Sequence, residues 1–150
     1  MKRLFFIPVL MCIFMLNIAS TCSDDDNNNA TVADPTPVIN AVMSGTWRVT
    51  NFVEDGTNHT SDFTGYNFTF AASNVLSATN GTNTYVGIWS VTTDDDSQSD
   101  LDFNIGFSTP ATFENLSDDW DIVSRTNTQI ILTDVSGGNG GTDFLTLEKN

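Results

Sequence analysis

Short segments in which apolar and polar side chains alternate follow one another from Gly45 to the end of the chain. The clearest spans residues 101–107, where every second side chain is apolar and those between are polar or glycine. Because alternate side chains of a strand point to opposite faces of a sheet, this period of two predicts a half-buried β-strand. With the weaker examples included, the pattern predicts eight short strands, which begin near residues 46, 66, 75, 85, 101, 120, 130 and 145.

The first of these strands opens with Gly45-Thr46-Trp47-Arg48-Val49. Trp47 and Val49 share one face of the strand, and Thr46 and Arg48 share the other. We therefore expect Trp47 to lie in the core and Thr46 to face solvent.

Turn-forming residues separate the predicted strands. Asn80-Gly81 predicts a two-residue type I′ hairpin, because both central residues of that turn need positive φ. Gly87, inside a strand segment, predicts a bend or a bulge. Residues 111–117 are interpreted as a short helical turn or a loop, and residues 37–43 as one short helical turn.

No segment between the strands is long enough for the crossover helix that parallel strands require. Strands with one apolar and one polar face, joined by tight turns, are typical of antiparallel sheets that close on themselves. The predicted fold is therefore all-β, an eight-stranded antiparallel up-and-down barrel. A sandwich of two sheets is the alternative.

The N-terminus has a different pattern. Lys2 and Arg3 precede an apolar run over residues 4–16, and small residues follow it. This arrangement is typical of a secretory signal peptide, which we assign to residues 1–21. An uncleaved membrane anchor is the alternative, but the run is shorter than the ~20 apolar residues that a spanning helix needs.

Cys22 directly follows this segment. Small residues before a cysteine resemble the bacterial lipobox, in which the cysteine becomes the lipid-modified first residue of the mature protein. The following residues, Ser23, Asp24, Asp25 and Asp26, resemble the acidic export signal of Bacteroidetes-type surface lipoproteins; a solvated charge run is the alternative. The resemblance implies a protein anchored by lipid in the outer membrane and facing the outside of the cell. A multiply acylated Cys22 would be a lasting anchor.

Residues 22–43 then comprise the lipidated cysteine and a flexible acidic tether, with few side chains to bury. Residues 44–150 form the predicted barrel domain. Cys12 is removed with the signal peptide and Cys22 is used by the lipid, so we expect no disulfide and no cysteine metal site.

Charge excludes one class of partner. The chain has 5 basic and 19 acidic residues, for a formal net charge of −14. Nucleic-acid binding needs a basic patch to neutralise phosphates, so we expect no nucleic-acid partner. An anionic membrane surface is equally unsuited to this chain, and we expect membrane contact through the N-terminal lipid of an otherwise monomeric protein.

The sequence gives no motif for catalysis, and we expect neither an enzyme nor a cofactor. His59, the single histidine, lies in a polar loop without an evident orienting partner. Two acidic runs are interpreted as solvated charge, with calcium sites as the alternative. These runs comprise Asp94, Asp95, Asp96 and Asp100 in one segment, and Asp118, Asp119 and Asp121 in the other.

Residues 44–149 resemble the lipocalin-like domains of Bacteroidetes-type surface lipoproteins. The resemblance rests on the Gly45-x-Trp47 pair that opens the first strand, the hairpins that follow, and the Leu116-x-x-Asp119-Trp120 step. It implies that Trp47 plugs one end of the barrel and that a late arginine, here Arg125, packs over it.

Two functions are compatible with such a barrel, because eight strands enclose either packed side chains or one small ligand. The first is an outer-membrane lipoprotein that binds a small hydrophobic ligand. The second is a structural or protein-interaction module with a filled barrel. The residues predicted to line a ligand site are Phe68, Phe70, Tyr85, Trp89, Phe103 and Ile105.

Overall fold

Eight antiparallel strands close into a barrel, which confirms the predicted fold class. The computed structural model describes residues 32–97, 99–135 and 141–150. Its elements are α1 (Thr36–Met43), β1 (Trp47–Glu54), β2 (Thr57–Asn58), a 3-10 helix (Thr60–Phe63), β3 (Asn67–Ala71), β4 (Val75–Thr79), β5 (Thr84–Thr93), β6 (Leu101–Gly106), α2 (Ala111–Glu114), β7 (Asp118–Arg125), β8 (Gln129–Val135) and β9 (Thr142–Lys149).

Neighbouring strands in the barrel are neighbours in sequence. The order runs from β1 through β3 to β9, and β9 returns to pair with β1. That closing ladder extends from Trp47 opposite Lys149 to Val53 opposite Phe144. The two-residue strand β2 pairs with the end of β1, whereas β3 meets β1 at the single pair Trp47–Phe68. All strands of the described residues belong to one closed sheet, so the alternative of a two-sheet sandwich is wrong.

Inward and outward positions alternate as the sequence pattern predicts. In β6, Phe103 and Ile105 are buried while Asp102 and Asn104 are not. In β9, Asp143 occupies an inward position ahead of Leu145, and its carboxylate accepts a hydrogen bond of 2.8 Å from the backbone N–H of Asp55. This acid therefore stabilises the turn after β1 across the closing seam.

The connection between β4 and β5 differs from the predicted two-residue hairpin. Thr79 pairs with Thr84, so residues 80–83 form a four-residue loop. Gly81 has a φ of 84°, but Asn80 has no positive φ. Its side-chain oxygen instead accepts hydrogen bonds from the backbone N–H groups of Thr82 and Asn83, at 3.0 and 2.7 Å. This Asx-type turn competes with the type I′ turn, because asparagine can bond to its own backbone.

Gly87 marks a close approach of two strands. The register irregularities in the described residues lie in β1 and β7, whereas Gly87 pairs regularly with Leu76. A Cβ atom at Gly87 would overlap the carbonyl oxygen of Gly106 and lie 2.8 Å from the ring of Phe107. The position therefore requires glycine because there is no space for a side chain.

Helix α1 covers one end of the barrel. Val38, Ala41 and Val42 are buried, and Val38 and Val42 belong to the same core cluster as the inward strand residues. The Trp47 indole N–H donates a 2.8 Å hydrogen bond to the carbonyl oxygen of Val42. The short helix predicted over residues 37–43 is therefore present. It precedes residue 44, where the predicted barrel domain begins, and it packs against the barrel core.

The cation that packs over Trp47 is Lys149, whereas the lipocalin resemblance suggested Arg125. The Lys149 ammonium lies 5.1 Å from the centroid of the Trp47 ring, within the range of a cation–π contact. Arg125 is exposed and lines a surface groove together with Leu101 and Ile122. Register explains the difference, because Trp47 and Lys149 are paired across β1 and β9.

Replacing Trp47 by alanine should remove about 3–5 kcal/mol from the free energy of unfolding, because a fully buried ring and its hydrogen bond are both lost. Thr46 is exposed and accepts a surface hydrogen bond of 3.2 Å from Asn150, so Thr46→Ala should cost less than about 1 kcal/mol. Chemical denaturation measures both changes. Equal denaturation midpoints for the two variants would contradict the placement of Trp47.

Candidate functional site

Three of the predicted lining residues meet inside the barrel. The ring of Phe70 lies 5.4 Å from that of Trp89 and 5.4 Å from that of Phe103, centroid to centroid. The rings of Trp89 and Phe103 are 6.1 Å apart and stacked. These distances correspond to direct ring contact. The Trp89 indole N–H donates a 2.9 Å hydrogen bond to the carbonyl oxygen of Ala71, which fixes the orientation of the ring.

A second group of rings surrounds Phe113 at the end of the barrel opposite α1. Phe113 lies on the short helix α2, which the sequence predicted as a helical turn or a loop. Its ring centroid is 4.9–6.0 Å from those of five other aromatic residues. These five are Phe63, Tyr66, Phe68, Tyr85 and Phe107. The helix therefore closes this end with an aromatic side chain.

The six predicted lining residues thus divide into two groups. Phe70, Trp89 and Phe103 form the central group, and Ile105 lies opposite Trp89 in the β5–β6 ladder. Phe68 and Tyr85 belong to the group around Phe113. Tyr85 is half-buried, and a hydrogen bond with Tyr66 raises the pKa of its hydroxyl. Their role in binding a ligand stays a prediction.

The packing around Phe113 was missed by sequence reasoning. The signal was present, because Phe113 and Leu116 lie three positions apart, a spacing that places two apolar side chains on one face of a helical turn. Both side chains are fully buried. A segment this short does not reveal which part of the barrel it covers.

Two grooves lie on the outer wall of the barrel, on either side of Ile88. One has a volume of about 420 Å³ and is lined by Val86, Gly87, Ile88, Gly106, Phe107 and Ser108. The other has a volume of about 290 Å³ and is lined by Asn74, Ile88, Trp89, Ser90, Asn104, Ile105 and Gly106. Trp89 and Ile105, which are buried, therefore also line an outer groove. Both grooves open to solvent.

Carboxylates gather on another part of the outer wall, along β6, β7 and β8. Oxygen atoms of Asp94, Asp102 and Asp121 lie within 4.8 Å of one another. Burial, followed by repulsion from Asp94 and neighbouring acids, raises the pKa of Asp102 to about 6. Burial is also the main cause of the raised pKa of Asp121.

A second group of carboxylate oxygens, from Asp118, Asp119 and Asp134, also lies within 4.8 Å. Burial raises the pKa of Asp118 to about 6, and a side-chain hydrogen bond with Asp119 adds to the shift. The sequence identified most of these acids, but not Asp102 and Asp134. These two come close to the others only through strand pairing.

The two groups are the described residues that could hold a hard cation. Calcium usually takes six to eight oxygen ligands from a fixed loop, and each group provides three carboxylates from strands and strand ends. Burial and mutual repulsion raise the pKa of neighbouring carboxylates without any bound ion. We therefore assign no metal to them.

His59 lies between two carboxylates at the edge of the barrel. Its Nδ1 atom is 3.4 Å from Asp62 and its Nε2 atom is 4.0 Å from Glu54. The three side chains are each between 30% and 42% exposed. Among the described residues, no serine, threonine or cysteine is hydrogen-bonded to this ring. The absence of enzymatic activity stays a prediction.

The predicted lipid anchor lies outside the described residues. Cys22, Ser23, Asp24, Asp25 and Asp26 all precede residue 32, where the description begins. Within the described part of the chain, no helix combines the length and apolar character needed to cross a bilayer.

No protein-family model matches the chain, and no curated protein matches it. Among solved structures, the chain is similar to a DUF4847 family protein from Bacteroides vulgatus ATCC 8482. The two are 18% identical, with a TM-score of 0.48 over 75% of this chain and 97% of that chain. The barrel is established by the strand pairing of this chain itself.

The aspartates along β6, β7 and β8 form an acidic wall of the barrel. This acidic wall should make the protein more stable in mild acid. In the native state Asp102 and Asp118 have a pKa of about 6, above the ordinary 3.8. Between these values the folded chain binds more protons than the unfolded chain, so the free energy of unfolding falls as pH rises through this window. We expect a higher urea midpoint at pH 5 than at pH 7.5.

Asp102→Asn and Asp118→Asn should each reduce this difference between the two pH values. Glu114 is an exposed acid of α2, and Glu114→Gln should leave the difference unchanged. A urea midpoint of the wild-type chain that is the same at both pH values, or higher at pH 7.5, would contradict the raised pKa values of Asp102 and Asp118.

Proposed function

We propose that the protein is a lipid-anchored lipoprotein of the outer membrane that faces the cell exterior. Its lipocalin-like barrel is a non-catalytic interaction module with a filled interior. The observation that carries this proposal is the direct contact among Phe70, Trp89 and Phe103 inside the barrel. A barrel that encloses a ligand needs space at the place where these rings meet.

Both ends of the barrel add to this argument. At one end Val38 and Val42 of α1 are buried against the core, and Trp47 is hydrogen-bonded to the helix. At the other end Phe113 contacts the rings around it. A ligand entering the barrel would have to displace one of these groups and its buried apolar area, at a cost of roughly 25 cal/mol per Å². Partners are therefore expected at the outer surface.

The location follows from the residues before the barrel. An apolar leader that ends at Cys22 and a following Ser23-Asp24-Asp25-Asp26 sequence resemble the lipobox and export signal of surface lipoproteins. The net charge of −14 gives no electrostatic attraction to an anionic membrane, so attachment depends on the lipid. This charge also keeps a protein at the cell surface soluble.

Binding of a small hydrophobic ligand is the second candidate function. The outer groove of about 290 Å³ favours it, because the apolar residues Ile88, Trp89 and Ile105 are among those that line it. Its volume is at the lower limit of ligand pockets, which usually measure about 300–1,000 Å³ and enclose most of their ligand. The filled barrel is the better-supported proposal.

A titration distinguishes the two functions. We expect no saturable quenching of tryptophan fluorescence when the chain is titrated with a fatty acid, a retinoid or haem, because the Trp89 ring is already in contact with the rings of Phe70 and Phe103. A folded Phe103→Ala variant should instead gain binding of benzene, since deletion of a buried ring leaves an apolar cavity. Saturable micromolar binding of any of the three ligands by the wild-type chain would overturn the filled-barrel proposal.

The anchor has a separate test. Replacing Cys22 by alanine should move the protein from the membrane fraction to the soluble fraction, because the lipid attachment atom is lost. Replacing Asp24, Asp25 and Asp26 by alanine should leave the protein in the membrane but protect it from protease added to intact cells. Membrane association of the Cys22→Ala variant would contradict the anchor, and unchanged cleavage would contradict the export signal alone.

A further inference from the structure

One wall of the barrel carries no charge. Between Asp62 and Asp94 the sequence contains no acidic or basic residue, and this run forms β3, β4 and β5. The wall built from β6 to β8 carries the aspartates described above. Although the chain has a net charge of −14, the face formed by β3, β4 and β5 is neutral.

Branched apolar side chains stand on this neutral face. Val75, Val86 and Ile88 are 41%, 63% and 67% exposed. They lie on two neighbouring strands, because Val75 pairs with Ile88 and Val86 pairs with Ser77. The result is a continuous exposed apolar patch, which in soluble proteins commonly marks an interaction site.

The patch has both a ridge and a hollow. Ile88 pairs with Gly106 of β6, and a Cβ atom at Gly106 would lie 3.0 Å from Cγ1 of Ile88. Glycine at this position therefore lets Ile88 lie against the sheet. It also leaves the floor open for the two grooves of about 420 and 290 Å³ on either side of Ile88. A surface with a ridge beside a groove can be complementary to itself.

We propose that the neutral face is the contact between two copies of this chain, related by a two-fold axis. In such an isologous contact the same patch serves both subunits, so Ile88 of each copy can occupy a groove beside Ile88 of the other. Two copies that met through the acidic wall would bring like charges together, which is unfavourable. The neutral face avoids that repulsion. The contact is made by side chains, because β4 and β5 each lie between two hydrogen-bonded neighbouring strands.

The exposed apolar patch consists of Val75, Val86 and Ile88, far fewer than the roughly 20–30 residues per partner of a standard interface, so the dimer is weak. We expect monomers at ~1 µM and dimers at ~100 µM, which corresponds to a weak interface in free-energy terms. This replaces the expectation of a monomer at all concentrations. Copies held on one membrane by a lipid would reach high local concentrations. The inference rests on the proposed function, and it names a second copy of the chain as the partner at the outer surface.

Cysteine cross-linking in cells that produce the full chain tests this contact. Ser77→Cys places a thiol of nearly the same size on the neutral face, and Ser124→Cys places one on β7 of the acidic wall. After oxidation, non-reducing gels should show a band of twice the chain mass for Ser77→Cys and not for Ser124→Cys. Adding Ile88→Asp to Ser77→Cys should reduce that band roughly tenfold, because two carboxylates would face each other.

Ile88 is 67% exposed, so the aspartate variant should keep its denaturation midpoint, which is measured alongside. Equal cross-linking of Ser77→Cys and Ser124→Cys would overturn the proposal. So would a Ser77→Cys product whose mass shows a different protein as the partner. The chain without an added cysteine is the control for the anchor, because cross-linking through Cys22 would indicate a free thiol. That result would contradict the lipid anchor. The dimer would still be tested by comparing Ser77→Cys with Ser124→Cys.

Discussion

The structure depends on aromatic rings that meet inside a closed sheet. Eight strands enclose a space that must be filled by side chains or by a ligand. Here the rings of Phe70, Trp89 and Phe103 contact one another inside the barrel, and Phe113 makes ring contacts at one end. Trp47 couples the other end to α1 through its hydrogen bond with Val42. Because residues 32–150 contain no cysteine, burial and hydrogen bonding carry the stability of the barrel.

The strands could be predicted from the sequence because burial on one face imposes a period of two. All eight predicted segments are strands, and residues 101–107 are the clearest example of the match. The turns were harder, because Asn80 satisfies the backbone with its own side chain in a way that competes with the type I′ hairpin. The partner of Trp47 was also missed. Lys149 reaches the ring through the closing β1–β9 ladder, and the sequence alone does not give that register.

The site followed less directly from the sequence. Alternation identified Phe68, Phe70 and Phe103 as inward residues, but it did not show whether their rings leave a cavity. That depends on distances set by barrel closure. The two walls of different chemistry could have been recognised from the charge-free run between Asp62 and Asp94. The sequence alone does not show that this run forms one face of a barrel. Only the strand pairing shows that β3 to β5 form one face and that the aspartates lie on another.

The filled interior is the central claim, and it explains why partners are sought on the outside. Dry apolar cavities of sufficient size take up xenon. A crystal structure determined under xenon pressure therefore tests the claim most directly. We predict no xenon among Phe70, Trp89 and Phe103, where the rings are 5.4–6.1 Å apart. An ordered xenon atom between these rings would show an internal cavity and contradict the account.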